Sequence, residues 1–169
     1  ADAVTKDVDH DPIVPAELDL SQEELVAARQ MPPDERVVSL SNPSSLFGEE
    51  YRSIRTSILA RWQQKRQLVH TITSATPQEG KTITSLNLGL CFAELKSRRT
   101  IVIEADLRLP QFANLLGLDP ERPGLIALLE GKIDLASAIV EVGPNKLPVI
   151  PAGGRLNDGA VQDRKSTRL

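Results

Sequence analysis

The chain has 169 residues and a formal net charge of −3 at pH 7. That length is enough for one domain with a buried core, and the mildly acidic balance lacks the clustered basic face of a nucleic-acid footprint, so no nucleic-acid partner is expected. The single cysteine, Cys91, excludes a disulfide framework and points to a reducing compartment.

Residues 1–45 read as an acidic, proline-containing disordered arm, with Asp2, Asp7, Asp9 and Asp11 among Pro12, Pro15, Pro32 and Pro33. Inside it, Ser21-Gln22-Glu23-Glu24 is a capping box, which predicts one short helix over about Gln22–Arg29. From Leu46 to Trp62 the pattern becomes helical. Leu46, Ile54, Ile58 and Leu59 can share a face turned to the domain, which leaves Arg52 and Arg55 outside it. Glu49, Arg52 and Arg55 recur at i, i+3 and i+6, where neighbours on one helix interact. Spacing alone favours a solvated salt-bridge ladder for them.

The next stretch organises the rest. Leu68–Thr73 is a short β-rich run, Ser74-Ala75-Thr76-Pro77-Gln78-Glu79-Gly80-Lys81-Thr82 is a loop, and apolar residues at helical spacing continue to Lys96. Strand, loop and helix in that order are the context of a phosphate-binding loop. A helix start offers backbone N–H groups and a positive dipole end to an anion. Gly80 lets the backbone approach closely, Lys81 adds a mobile charge, and the Thr82 hydroxyl can help coordinate Mg²⁺. Ala75 stands where the usual pattern has its first glycine. On the helix, Leu86, Leu90 and Ala93 form one apolar face with Ile83 beside it, and Cys91 reads as a small core residue.

Thr100–Ile103 is a β-branched run suited to a strand of a parallel sheet, which would complete a right-handed βαβ unit. It leads into Glu104-Ala105-Asp106-Leu107-Arg108. Two carboxylates at i and i+2 would point the same way from the carboxyl end of that strand, where ligands of open α/β sheets bind. Such a pair can hold Mg²⁺ or accept a proton; the alternative is turn chemistry, with Asp106 capping the next segment and Arg108 on the surface. Further on, short helices are predicted over Pro110–Leu118, Gly124–Glu130 and Leu135–Val140, the last capped by Asp134. A strand follows over Leu147–Pro151, then a turn at Ala152-Gly153-Gly154. No apolar run reaches transmembrane length and no signal-peptide pattern opens the chain, so a membrane connection is expected only through a partner.

Residues 46–154 resemble the bacterial tyrosine-kinase family, the autokinases of capsule and exopolysaccharide synthesis. The resemblance rests on Ala75-x-Pro77-x-x-Gly80-Lys81-Thr82 as a Walker A loop and on Ile101–Arg108 as Walker A′. It rests also on Glu49-x-x-Arg52-x-x-Arg55, the family's subunit-contact helix. Glu104 replaces the usual first Asp of Walker A′, and Gln78 a common Gly. The resemblance implies an α/β fold, a P-loop NTPase-type parallel sheet flanked by helices. It implies ATP and Mg²⁺ as cofactors, with Thr76, Pro77, Gln78, Glu79, Gly80, Lys81, Thr82 and Ile83 around the nucleotide. Thr82, Asp106 and Glu104 would serve the metal, and Lys81, Glu104 and Asp106 the catalysis. It turns the ladder of Glu49, Arg52 and Arg55 into an expected contact of a homo-oligomeric ring. A membrane-embedded polysaccharide co-polymerase is the expected partner, with the kinase cytoplasmic and peripheral to the inner membrane.

The family's Walker B strand and tyrosine-rich tail do not follow Gly154, and residues 155–169 do not resemble the family. The chain is therefore expected to be a fragment, incomplete at its C-terminus, and weakly active or inactive. Two alternatives stand beside the kinase: a non-catalytic nucleotide-binding regulatory module of polysaccharide export, and a partition or division-site ATPase. The last carries a signature Lys where this chain has Thr76.

Overall fold

A computed structural model describes residues 32–61 and 69–155. The helix expected over Gln22–Arg29, Trp62 and Leu68 at the edges of expected elements, and residues 156–169 lie outside the described residues. The described elements run α1 (Val38–Ser41), α2 (Leu46–Arg61), α3 (Lys81–Ala93), β1 (Val102–Ile103), α4 (Phe112–Leu116), α5 (Leu125–Leu129), α6 (Leu135–Ala138), β2 (Val140–Val142) and β3 (Leu147–Ile150). None of the described helices is long and apolar enough to cross a membrane.

The molecule is α/β, with helices packed on a small sheet of order β1-β3-β2. β1 and β3 pair in parallel, Val102 opposite Val149 and Ile103 opposite Ile150. β2 and β3 form an antiparallel hairpin, Val142 opposite Leu147. The hairpin was not among the expected elements. The helix predicted to reach Val140 ends at Ala138, because Ile139 turns to extended backbone and Val140 joins the ladder. Asp134 caps that short helix as its position suggests, accepting from the Ser137 N–H at 2.8 Å. The expected strand over Leu68–Thr73 is not in the sheet: its described residues, from Val69, form neither strand nor helix, and Val69 is 91% exposed. A strand needs a neighbour for its backbone N–H and C=O groups, and no described strand lies along this one. The expected βαβ unit is thus replaced by a parallel pair joined through α4, α5, α6 and β2.

Helix α3 is the centre of the core. Leu86 to Phe92 are all buried, and Leu86 and Leu90 meet Phe112, Leu115, Leu116, Val142, Leu147 and Val149. Ile83 and Ala93 pack at the margin of this cluster, as the helical spacing requires. Gly89 is where α3 crosses β1. A Cβ at that position would collide with the Val102 side chain, so only glycine permits the approach. Cys91 is fully buried, and burial raises its thiol pKa, which suits a core residue.

Residues 32–45, read from sequence as part of the disordered arm, belong to the folded unit. Val37 is fully buried in the core and Leu40 packs against it. The Asp34 N–H donates to the Leu115 carbonyl at 2.9 Å. Asn87 of α3, also fully buried, fastens this strap. Its Oδ1 accepts from the Ser39 N–H at 2.8 Å, and its Nδ2 donates to the carbonyls of Arg36 and Ile83, both at 3.0 Å. A buried amide is tolerated when its polar atoms are satisfied, and here both ends are. Replacing Asn87 with Ala leaves the Ser39 N–H and the Arg36 carbonyl without partners in the interior. The expected cost is about 2–3 kcal/mol of unfolding free energy, measured by urea denaturation. An unchanged midpoint would mean that the strap is not held by this residue.

Candidate functional site

The loop before α3 closes on itself. The Ser74 hydroxyl donates to the Thr76 carbonyl at 2.9 Å. The Glu79 carboxylate reaches back and accepts from the Ala75 N–H at 3.0 Å, the Thr76 N–H at 3.3 Å and the Thr76 hydroxyl at 2.7 Å. The Thr76 hydroxyl is the main reason that the Glu79 carboxyl lies below the ordinary carboxylate range. Gln78 takes a left-handed backbone, φ 66°, in the place where the resembling family commonly has glycine. Gly80 follows at φ 89° as the N-cap of α3, and no atom lies within 4 Å of where its Cβ would be. The first helical bond is Thr84 N–H to Gly80 carbonyl, 2.9 Å. The amides of the first turn have no partner within the helix and lie at the positive end of its 13 residues.

Lys81 and Asp106 meet at this helix start. The Lys81 Nζ donates to Asp106 Oδ2 at 2.9 Å, with about 29% and 28% of the two side chains exposed. The other carboxylate oxygen accepts from the Leu109 N–H at 3.1 Å. Asp106 closes the turn after β1, as the turn-chemistry alternative has it, and it also faces the loop lysine. Lys81 first, then the Leu109 N–H, hold its carboxyl below the usual range. Arg108 is exposed.

Glu104 does not join them. It is 4% exposed, and its carboxylate accepts from three backbone N–H groups: Gln111 and Phe112 on Oε1, and Ala152 on Oε2 at 2.9 Å. It caps the start of α4 and ties it to the chain leaving β3. The alternation that would aim Glu104 and Asp106 the same way fails, because the strand ends at Ile103. The geometry gives Glu104 a structural role rather than the expected one at the metal or as a base. Among the described residues, no group of three or more His, Cys, Asp or Glu side chains is placed to hold a metal ion by itself. Thr82 and Asp106 could contribute to one only beside a ligand's own oxygens.

Three comparisons bear on this arrangement. The chain is 33% identical over 117 residues to the tyrosine-protein kinase YwqD of Bacillus subtilis, a match covering 69% of this chain and 48% of that one. The solved kinase domain of Escherichia coli tyrosine kinase ETK superposes with a TM-score of 0.66 at 28% identity, over 79% of this chain and 50% of that one. The matched region is similar in sequence and in fold to bacterial tyrosine kinases. Another relative, the succinoglycan biosynthesis transport protein ExoP of Rhizobium meliloti, is 32% identical over 112 residues, 66% of this chain and 14% of that protein. The chain thus spans about half of the first relative and a small part of the last. No protein-family model matches it.

The family's subunit-contact motif takes an unexpected position. Arg52 and Arg55 turn toward α3 rather than outward, and Ile54, expected to face the domain, is 45% exposed. Both arginines converge on Glu94, just past the end of α3. Arg52 donates through Nε and Nη2, at 3.0 and 2.8 Å, and Arg55 through Nη1 at 2.8 Å. Arg52 Nη1 also reaches the Pro43 carbonyl at 2.8 Å and Glu49 at 2.6 Å, and Arg55 Nη1 the Cys91 carbonyl. One rung of the ladder forms, Glu49 to Arg52, but the two arginines are otherwise turned inward. The motif is a clamp between α2 and the C-terminal end of α3, whose last carbonyls attract cations.

Sequence reasoning missed Glu94, because its partners lie about 40 residues away. Arg52 above all holds the Glu94 carboxyl below its ordinary pKa. A lowered folded-state pKa contributes stability that is present above the unfolded value and lost as pH falls through the folded one. Changing Glu94 to Gln should cost about 1–2 kcal/mol at pH 7. Below the folded pKa of Glu94 the gap to the parent should shrink, read by thermal melts from pH 7 down to pH 3. A gap that widens on acidification would contradict the clamp.

Proposed function

We propose that this chain is the nucleotide-phosphate-binding part of an ATP-dependent protein-tyrosine autokinase that regulates capsule or exopolysaccharide synthesis and export. The observation that carries the reading is Lys81, standing at the open N-terminus of α3 behind Gly80, with its ammonium 2.9 Å from Asp106. The room over Gly80 and the first-turn amides fit a phosphate group, and the loop from Thr76 to Ile83 would wrap it. Lys81 would balance the outer phosphates. Thr82 and Asp106 would hold Mg²⁺, whose chemistry is to neutralise charge on the transferring phosphoryl group. The likeness to YwqD, ETK and ExoP supports a place in polysaccharide export.

In the same proposal the protein works on the cytoplasmic side, peripheral to the inner membrane, through a membrane-embedded co-polymerase or activator. A homo-oligomeric ring using Glu49, Arg52 and Arg55 would require the two arginines to exchange Glu94 for carboxylates of a neighbour. Replacing Lys81 with Met keeps the aliphatic stem and removes the charge. Calorimetry with MgADP should show binding weakened by about 1.5–3 kcal/mol, and equal affinity would remove the site.

A second reading, a non-catalytic nucleotide-binding module, is favoured by Glu104. With that carboxylate committed to three backbone amides, Asp106 is left as the acidic group facing Lys81. Transfer of label from γ-labelled ATP to an added tyrosine-containing polymer separates the two. Kinase activity predicts transfer that the Lys81→Met variant loses. Tight MgADP binding with no transfer selects the module.

A further inference from the structure

We propose that the Lys81–Asp106 ion pair is a latch coupling the two ligands of the site: a phosphate recruits Lys81 by drawing it off Asp106, and the freed carboxylate then accepts a divalent cation. This inference rests on the nucleotide reading and extends it to the order and interdependence of binding.

Three features carry it. The ammonium of Lys81 is a compact point charge on a flexible four-carbon stem, so it can swing between two anions with little backbone change. Its present partner is fixed. Asp106 Oδ1 is anchored by the Leu109 N–H at 3.1 Å, while Oδ2 takes Lys81 at 2.9 Å. Lys81 can therefore leave while the carboxylate stays in place, already turned toward the helix start. The third feature is the helix start itself: no atom beyond its chain neighbours lies within 4 Å of where a Gly80 Cβ would be, and the first-turn amides have no partner within the helix.

The charges then set the order. Without a cation, an arriving polyphosphate must break the ion pair and leave Asp106 as an uncompensated negative charge beside its own. With a divalent cation, that exposed carboxylate becomes a ligand, and the repulsion turns into attraction. Nucleotide and metal should strengthen each other's binding by the same factor, as linkage requires. Glu104 cannot substitute for Asp106, since its oxygens are held by Gln111, Phe112 and Ala152.

The test is a double-mutant cycle on the full chain, with ADP affinity measured by calorimetry in EDTA and in excess Mg²⁺. Asp106→Asn removes the competitor for Lys81. It should raise metal-free ADP affinity roughly three- to tenfold, the worth of a half-exposed ion pair, and abolish the enhancement by Mg²⁺. In the Lys81→Met background the same change should give a clearly smaller metal-free gain, because it relieves only the repulsion by Asp106 and there is no ion pair to break. Asp106→Ser repeats the cycle should the asparagine variant fail to fold. A gain of equal size in both backgrounds would show through-space repulsion and overturn the latch, as would no gain in either while the parent binds MgADP. Absence of ADP binding in every protein, with and without Mg²⁺, would instead overturn the nucleotide reading, and the latch with it.

Discussion

Helix α3 is buried along seven consecutive residues, Leu86–Phe92, and a helix buried so far round needs a neighbour on each face. The rest of the described chain supplies them. Phe112, Leu115 and Leu116 of α4 with Leu147 and Val149 of β3 take the apolar side. β1 comes within van der Waals reach at Gly89. The strap of residues 34–41 lies over Asn87, and α2 grips the C-terminal end through Arg52, Arg55 and Glu94. One end of the helix remains to be answered. At Gly80 and Lys81 the first-turn amides have no partner within the helix, and that is where the proposed function places a phosphate. A helix fixed at its middle and its far end holds its near end still, which a phosphate site requires.

Four carboxylates show how little a residue type says about its role until its partners are known. Glu79 is satisfied by loop amides and a hydroxyl, Glu104 by three buried amides, Asp106 by an ammonium and an amide, Glu94 by two guanidinium groups. The Glu79 set is made within its loop, and Asp106 takes one partner from its own turn, Leu109, and one from the start of α3, Lys81. The other two are made across the fold. Glu104 serves packing because its side chain follows Val102 to the inner face, where the amides of Gln111, Phe112 and Ala152 meet it.

The same distinction explains what could be read in advance. The loop, the helix that follows, its apolar face, Asp134 as a cap and β3 were legible, because each is set by residues within a few positions. The pairing of Lys81 with Asp106 was legible as a neighbourhood, since a strand's carboxyl end lies beside the loop in such folds. The strand before the loop, the clamp and the strap were not. A run such as Val69–Thr73 becomes a ladder only if a partner strand arrives, and helical spacing says which residues share a face but not which face is covered. Hence Arg55, 13% exposed at its side chain, and Ile54, 45% exposed, exchange the positions that hydrophobicity alone assigns them. The hairpin of β2 and β3 did carry a signal. Gly143-Pro144-Asn145 is turn chemistry between two β-branched runs, and the helical reading of Leu135–Val140 overrode it.

The two departures from the loop's familiar glycine pattern are not equivalent. Among the described residues, only Gln78 and Lys146 combine a side chain with positive φ, so Ala75 occupies backbone that alanine adopts freely. Its missing glycine costs the loop little. Gln78 at φ 66° is another matter: a side chain in the left-handed region costs about 1–2 kcal/mol relative to glycine. Something must hold it there, and the Glu79 carboxylate next to it has the means. Its bonds to Ala75 and Thr76 close the loop across residues 75–79, with Gln78 inside the closed segment. These charge-assisted hydrogen bonds act against the strain, three of them converging on one carboxylate. Strain of this size persists where surrounding contacts over-determine the backbone, and such residues gather at functional sites. The loop is thus shaped by its own acid before any ligand arrives, and the first-turn amides beyond Gly80 are where the proposed function places a phosphate.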